Sequence, residues 1–210
     1  MADTPGILAI FNNVARGREA AFETWMQHEH LAERLAVPGF LLARRYEALA
    51  GTPRFFISYL TRSATVLTSP AYLARLDDPT PQTRMIMTEV FRDMCRTVCH
   101  RAARLGAGRG SVAIAARFAV RQDVPALRAR IEAALQDPAV ACGEVWTAAN
   151  TSEFRVSQEE RLRGGDQRIG ACLLIETLRV DSAERIAATL AGEFPQAEIG
   201  VYRLLCERGA

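Results

Sequence analysis

The sequence predicts an α+β fold in which two β-α-β-β-α-β units follow one another and pack sheet to sheet within one chain. Three observations carry this. Short β-prone runs alternate with helical stretches in the same order in each half, a glycine-rich run divides the halves, and strands such as Cys172-Leu173-Leu174-Ile175 are apolar on both faces.

Residues 7–14 are apolar and β-prone and form the first strand. Residues 18–36 have helical spacing, with Phe22, Trp25, Met26, Ala32, Leu35 and Ala36 near one stripe. Val37-Pro38-Gly39 ends that helix, because proline disfavours helix at the residue before it and glycine frees the turn. Residues 40–49 and 55–61 read as strands around the turn Ala50-Gly51-Thr52-Pro53. A helical stretch starts near Ser63 and breaks around Asp77-Asp78-Pro79-Thr80-Pro81, and residues 96–105 supply a fourth strand. This order is the ferredoxin-like unit.

Residues 106–110, Gly-Ala-Gly-Arg-Gly, read as a linker. The order then recurs as strand 112–120, helix 124–135, strands 143–147 and 169–178, helix 183–190 and strand 199–206. The two ferredoxin-like repeats are thus expected at 1–105 and 111–210. The polar stretch 152–167 is expected to be a mobile hairpin loop, and the arginine-rich 161–168 a solvated part of it. One such sheet hides one face under its helices, and the other face still needs cover. Packing the second sheet on the first gives an intrachain α+β barrel and makes the space between the sheets a natural ligand pocket.

Composition narrows the functional classes. The 210 residues are 49% hydrophobic and 24% charged, ordinary for a globular chain. A formal net charge of +2 supplies no strong field for nucleic acid or an anionic membrane, so neither is expected as a partner. No apolar run has the length of a membrane span, and the N-terminal residues lack the pattern of a signal peptide. Five irregularly spaced cysteines suit reduced thiols and a cytoplasmic location.

The chemistry concentrates in residues 25–40. At about 100° per residue, Glu29 falls inside the stripe of Phe22, Trp25 and Met26, where a carboxylate must be paired, protonated or facing a cavity. His28 lies at the stripe's edge near Leu35, and His30 points away, towards Gln27 and Arg34. The two histidines are i,i+2, so one undistorted helix cannot aim both at a metal, and the pattern is not His-Glu-x-x-His. Cys95-x-x-x-Cys99-His100 has one residue too many between its cysteines for haem attachment. The glycines at 106–110 precede a strand and not a helix, which does not suit a dinucleotide fingerprint. Trp146 reads as a core residue. No nucleophile elbow, phosphate loop or kinase signature is present, and neither a metal nor another cofactor is expected.

Trp25, Glu29-His30, Glu33-Arg34, Pro38-Gly39-Phe40 and Arg44-Arg45-Tyr46, with the later run Ser69-Pro70-Ala71-Tyr72-Leu73, resemble the dimeric α+β barrel superfamily, and within it the uncharacterised and EthD-like branch. The resemblance covers roughly the first half. The second half is similar only in element order and lacks the histidine motif. The superfamily includes cofactor-independent monooxygenases, isomerases, cyclases, haem-binding proteins and many members of no known reaction, so the fold alone implies little about activity.

Two functions follow as expectations. One is a cofactor-independent acid–base enzyme acting on a small apolar or aromatic carbonyl compound. In it His30 or His28, with Glu29, transfers a proton between the sheets, while Arg44, Tyr46 and Tyr59 bind and orient the ligand. The other is a non-catalytic small-molecule-binding or assembly protein, in which Glu29 pairs with an arginine such as Arg44 and the histidines tie the helix to the Pro-Gly turn. Haem binding or degradation ranks behind both. Tandem repeats supply internally the contact that single-repeat relatives make by dimerising, which leaves association between chains to strand edges or helices.

Overall fold

The structure, a computed structural model, describes residues 4–150 and 155–210. Among these residues eight strands close into one antiparallel barrel: β1 (Gly6–Val14), β2 (Phe40–Ala50), β3 (Phe55–Thr61), β4 (Phe91–Leu105), β5 (Val112–Phe118), β6 (Val140–Ala148), β7 (Ala171–Thr177) and β8 (Glu198–Gly209). The order around the barrel is β1-β3-β2-β8-β5-β7-β6-β4. Within the first four strands it runs β4-β1-β3-β2, and within the last four β8-β5-β7-β6. The two sets are joined by the antiparallel pairs β2–β8 and β4–β6. Among the described residues every strand therefore has a neighbour on each side.

The helices lie outside. The first helical stretch is α1 (Glu19–Trp25) and α2 (Leu31–Leu35), joined by a π-helical turn, Met26–His30. After β3 come a 3-10 turn (Ala64–Thr68), α3 (Pro70–Asp77) and α4 (Pro81–Met85), which runs into a second π turn (Ile86–Val90). The second half carries α5 (Val124–Ala134), α6 (Gln158–Arg163) and α7 (Val180–Glu193). Ser69, Thr80, Asp123 and Ser157 each accept a backbone N–H at the start of a helix, and Pro70, Pro81 and Pro125 occupy first-turn positions where a missing N–H costs nothing.

Strand alternation sorts the side chains into three cores. Phe11, Tyr46, Phe56, Trp146, Cys99, Cys172 and Tyr202 point into the barrel. Leu8, Ile10, Ile57 and Tyr59 face outward beneath the first-half helices, and Ile114, Leu173 and Ile175 beneath α5 and α7. The interior is packed: Phe11, Phe56 and Tyr46 stack in turn at 4.5 and 4.8 Å, with Tyr202 and Trp146 against Phe56. The expected ligand space between the sheets is filled by these rings. At one end lies a cavity of about 20 Å³, lined by Arg44, Ser58, Arg101, Glu144, Trp146 and Glu176.

Three of the differences from the sequence reading have a packing reason. β4 begins at Phe91 because the exposed Arg92 and Asp93 interrupt its apolar pattern without ending its pairing to β1. β6 begins at Val140, before Gly143, whose lack of a side chain admits Ile131 of α5. The stretch 152–167 carries α6 in place of a solvated hairpin; its residues 152–154 lie outside the described residues. Arg163 is buried there between Glu159 and Asp166, and Arg168 pairs with Glu160, so this charge run is an ion-paired cover over the first-half core.

The glycine run also has a packing role. The Gly110 N–H donates to Glu176 Oε2 at 3.0 Å, and its carbonyl accepts from Arg44, itself ion-paired to Glu176 inside the barrel. A Cβ at Gly110 would sit 2.4 Å from the Thr177 carbonyl oxygen, whereas one at the exposed Gly192 of α7 meets nothing within 4 Å. Gly110→Ala is expected to destabilise by about 1–3 kcal/mol through overpacking. Gly192→Ala is expected to stabilise by roughly 0.5–1 kcal/mol through helix propensity. Urea unfolding of both variants checks the pair, and a neutral Gly110→Ala would show that this segment is a slack linker.

Candidate functional site

The π turn sets the position of the histidine. Its backbone closes i→i+5, with the Leu31 N–H donating to the Met26 carbonyl, so one extra residue enters the helix between Trp25 and Leu31. Uniform α-helical spacing puts Glu29 in the buried stripe and His30 outside it. The inserted residue carries His30 inward and leaves Glu29 half-buried at the margin. His30 is 6% exposed and its ring lies on the Trp25 indole, centroids 4.1 Å apart, edge-on to Tyr59 at 6.2 Å.

Glu29 accepts hydrogen bonds from the hydroxyls of Thr80 and Thr83, and Thr83 Oγ1 in turn accepts from Trp25 Nε1 at 2.9 Å. Thr80 also caps α4. Glu29 thus ties the π turn to the start of α4, and its expected pairing with Arg44 does not occur. Arg44 points into the barrel, ion-paired with Glu176 and, at 2.9 Å, with Glu207. Tyr46 is also inside, its hydroxyl buried without a partner. His28 is exposed. Of the six sequence candidates, the fold brings together His30 and Tyr59, keeps Glu29 behind them, and places Arg44 and Tyr46 on the other side of the sheet.

His30 borders a cavity of about 20 Å³ between the outer face of β1, β3 and β4 and the helices, room for about one water. Its apolar wall includes Leu8, Ile57, Met26, Met87 and Phe91, and its polar wall Arg34, Tyr72, Arg96, Glu159 and Arg163. Arg34 is ion-paired to Glu159 of α6 and its guanidinium lies 5.7 Å from the Tyr72 ring centre, while Arg96 donates to the Tyr72 hydroxyl at 2.8 Å. Two buried polar atoms of this lining lack a hydrogen-bond partner, His30 Nδ1 and Arg34 Nη1, as does the hydroxyl of Tyr59, whose ring packs on His30. Buried polar groups are nearly always satisfied, so two on one small cavity and a third on an adjoining ring need an explanation.

Burial holds the His30 pKa well below the ordinary 6.5, and the charges of Arg34, Arg163, Arg45 and Arg96 push it the same way. The imidazole is neutral at neutral pH. Burial also pushes the Tyr59 hydroxyl far above its usual range, so it stays protonated. The site therefore combines a neutral base, a phenol donor and a guanidinium with a free N–H.

Arg34 is named in the sequence only as part of the Glu33-Arg34 motif and not as a site residue, and Arg96 and Glu159 are not singled out there. Arg34 lies four residues after His30, a spacing that a helix turns into adjacency. Arg96 and Glu159 come from a strand and from a stretch read as loop, and nothing in their local pattern marks them.

The chain is an α+β barrel protein with a closed eight-stranded antiparallel barrel. Solved structures share this fold across nearly the whole chain. An anthrone oxidase-like protein aligns over 99% of this chain and 94% of its own, with a TM-score of 0.62 and 9% identity. A candidate monooxygenase of Fusobacterium nucleatum aligns over 100% and 96%, with a TM-score of 0.60 and 8% identity. A mutant chlorite dismutase of Candidatus Nitrospira defluvii aligns over 96% and 92%, with a TM-score of 0.52 and 11% identity. At such identities the likeness shows the fold alone. No family model and no curated protein matches the sequence.

Two outcomes test this description. The unfolded chain takes up a proton on His30 that the folded chain refuses. This residue's contribution to stability is therefore complete above about pH 6.5 and is lost as pH falls below it. Thermal melts should show a shallower fall below pH 6.5 for His30→Gln than for the wild type; parallel curves would contradict a buried neutral imidazole. Thr83→Val should cost about 1–3 kcal/mol by leaving Trp25 Nε1 unpaired, which chemical denaturation measures directly.

Proposed function

We propose that the chain is an acid–base enzyme that moves a proton on a small apolar or aromatic carbonyl or phenolic compound, with its centre at His30 beneath the first helix and not inside the barrel. The single observation that carries this reading is that His30 and Arg34, each with an unpartnered buried nitrogen, line one cavity, with Tyr59, whose hydroxyl is also unpartnered, edge-on to the His30 ring. A π turn at this place adds support, since such turns recur at functional sites.

In this reading His30 takes a proton from carbon next to a carbonyl, or from a phenol, and Tyr59 and Arg34 donate hydrogen bonds to the oxygen that becomes negative. The arginines that disfavour an imidazolium favour that oxyanion, so proton uptake and charge development are coupled. Arg44 and Tyr46 take no part. Admitting a substrate requires α6 to draw Glu159 away from Arg34. Membership of the EthD-like branch, a tandem duplication at 1–105 and 111–210, and a cytoplasmic location belong to the same reading. The motif of residues 25–46, the repeated strand order and the free cysteines support them. No helix among the described residues is long and apolar enough to cross a membrane.

A second reading, a non-catalytic binding or assembly barrel, is favoured by the size of the cavity, which the α6 ion pairs hold closed. Deuterium uptake from solvent into acetylacetone and related carbonyl compounds, followed by NMR, separates the two. The enzyme reading expects protein-dependent exchange that falls about 10²–10⁴-fold in His30→Ala and is reduced in Tyr59→Phe. Wild-type exchange no faster than that of His30→Ala supports the non-catalytic barrel.

A further inference from the structure

We propose that the mouth of the barrel around Arg117 is a second binding site, for a small carboxylate with an apolar body. A hollow of about 360 Å³ opens there, within the range of roughly 300–1,000 Å³ typical of small-molecule sites. Barrel mouths are a preferred place for such sites. Arg117 projects inward from β5, 4% exposed, with its guanidinium 4.6 Å from the Phe11 ring centre. It donates to the Thr52 carbonyl at 2.6 Å, but its Nε is buried and has no partner. Its carboxylate partner, Glu198 at 2.8 Å, is 75% exposed, so that pair is screened by solvent and salt. A desolvated guanidinium with a free donor and a loosely held rim acid suits an incoming carboxylate, which guanidinium binds with charge-assisted hydrogen bonds.

The walls are fixed before any ligand arrives. Gln167 exchanges backbone hydrogen bonds with β4, donating to the Met94 carbonyl at 2.8 Å and accepting from the Arg96 N–H at 2.9 Å. The Ile169 N–H donates to Thr97 Oγ1 at 3.0 Å. Gly170 lies so close to Val120 that a Cβ there would come within 2.2 Å of backbone. Phe118, Ala119 and Ile169 give an apolar wall, and Gln167 and Gln196 add amides. Burial raises the Cys95 pKa, so the thiol in this wall stays protonated and adds no negative charge.

The test titrates benzoate, with benzamide as its neutral match, into the full chain, following ligand-observed NMR and melting temperature. Benzoate is expected to bind and benzamide at least tenfold more weakly. Arg117→Gln should weaken benzoate at least tenfold, Glu198→Gln should tighten it severalfold, and His30→Ala should leave it unchanged. Should Arg117→Gln fail to fold, Glu198→Gln decides: unchanged affinity overturns the proposal. Absence of benzoate binding, equal binding of benzamide, or loss of binding in His30→Ala also overturns it, whether or not the carbonyl exchange depends on His30.

Discussion

Closure of eight strands into one hydrogen-bonded ring constrains every other feature of this chain. A closed ring of this size has an interior just wide enough for side chains. Here Phe11, Phe56, Tyr46, Trp146 and Tyr202 occupy its middle. Functional groups are then left two places: the ends of the barrel, where Arg44 and Arg117 lie, and the outer face under the helices, where His30 lies. The ion pair of Arg44 with Glu176 joins β2 of the first half to β7 of the second, and Gly110 passes close enough to bond to both.

The outer face of the first half differs from that of the second because its helix is interrupted. Six backbone and side-chain features meet there: the π turn, the Glu29 tie to Thr80 and Thr83, the Trp25 indole beneath His30, and the arginines on α2, β4 and α6. The second-half core is plainer, with Leu127, Ile131, Ala183 and Leu190 packed on Ile114, Leu173 and Ile175. Among the described residues, the buried polar atoms without partners in the first half include those of His30, Arg34 and Tyr59.

Much of the fold is legible in the sequence because its signals are local. Proline and glycine at 38–39 end the first helix, and the doubly apolar Cys172–Ile175 segment requires cover on both faces. The site was legible only in part. Residues 25–34 hold its histidine and one arginine, but a fixed α-helical period put Glu29 inward and His30 outward, and a one-residue insertion into the hydrogen-bond ladder reverses them. That insertion depends on packing against α4 and the sheet, which no local pattern states. Likewise α6 resembles a solvated charge run until Glu159 meets Arg34 from α2. Arg44 and Tyr46 sit on a correctly read strand, yet face into the barrel, opposite His30 and Tyr59.

The role assigned to the first-half cavity depends on a neutral, inward-facing imidazole. Nitrogen-15 NMR of the imidazole rings observes it directly, since the chain has three histidines and substitution of His30 identifies its signal. The His30 ring is expected to remain a single neutral tautomer as pH is lowered past 6.5, with contacts to the Trp25 indole in the same spectra. A His30 ring that charges with a midpoint at or above 6.5, or that shows no contact with Trp25, would contradict the site.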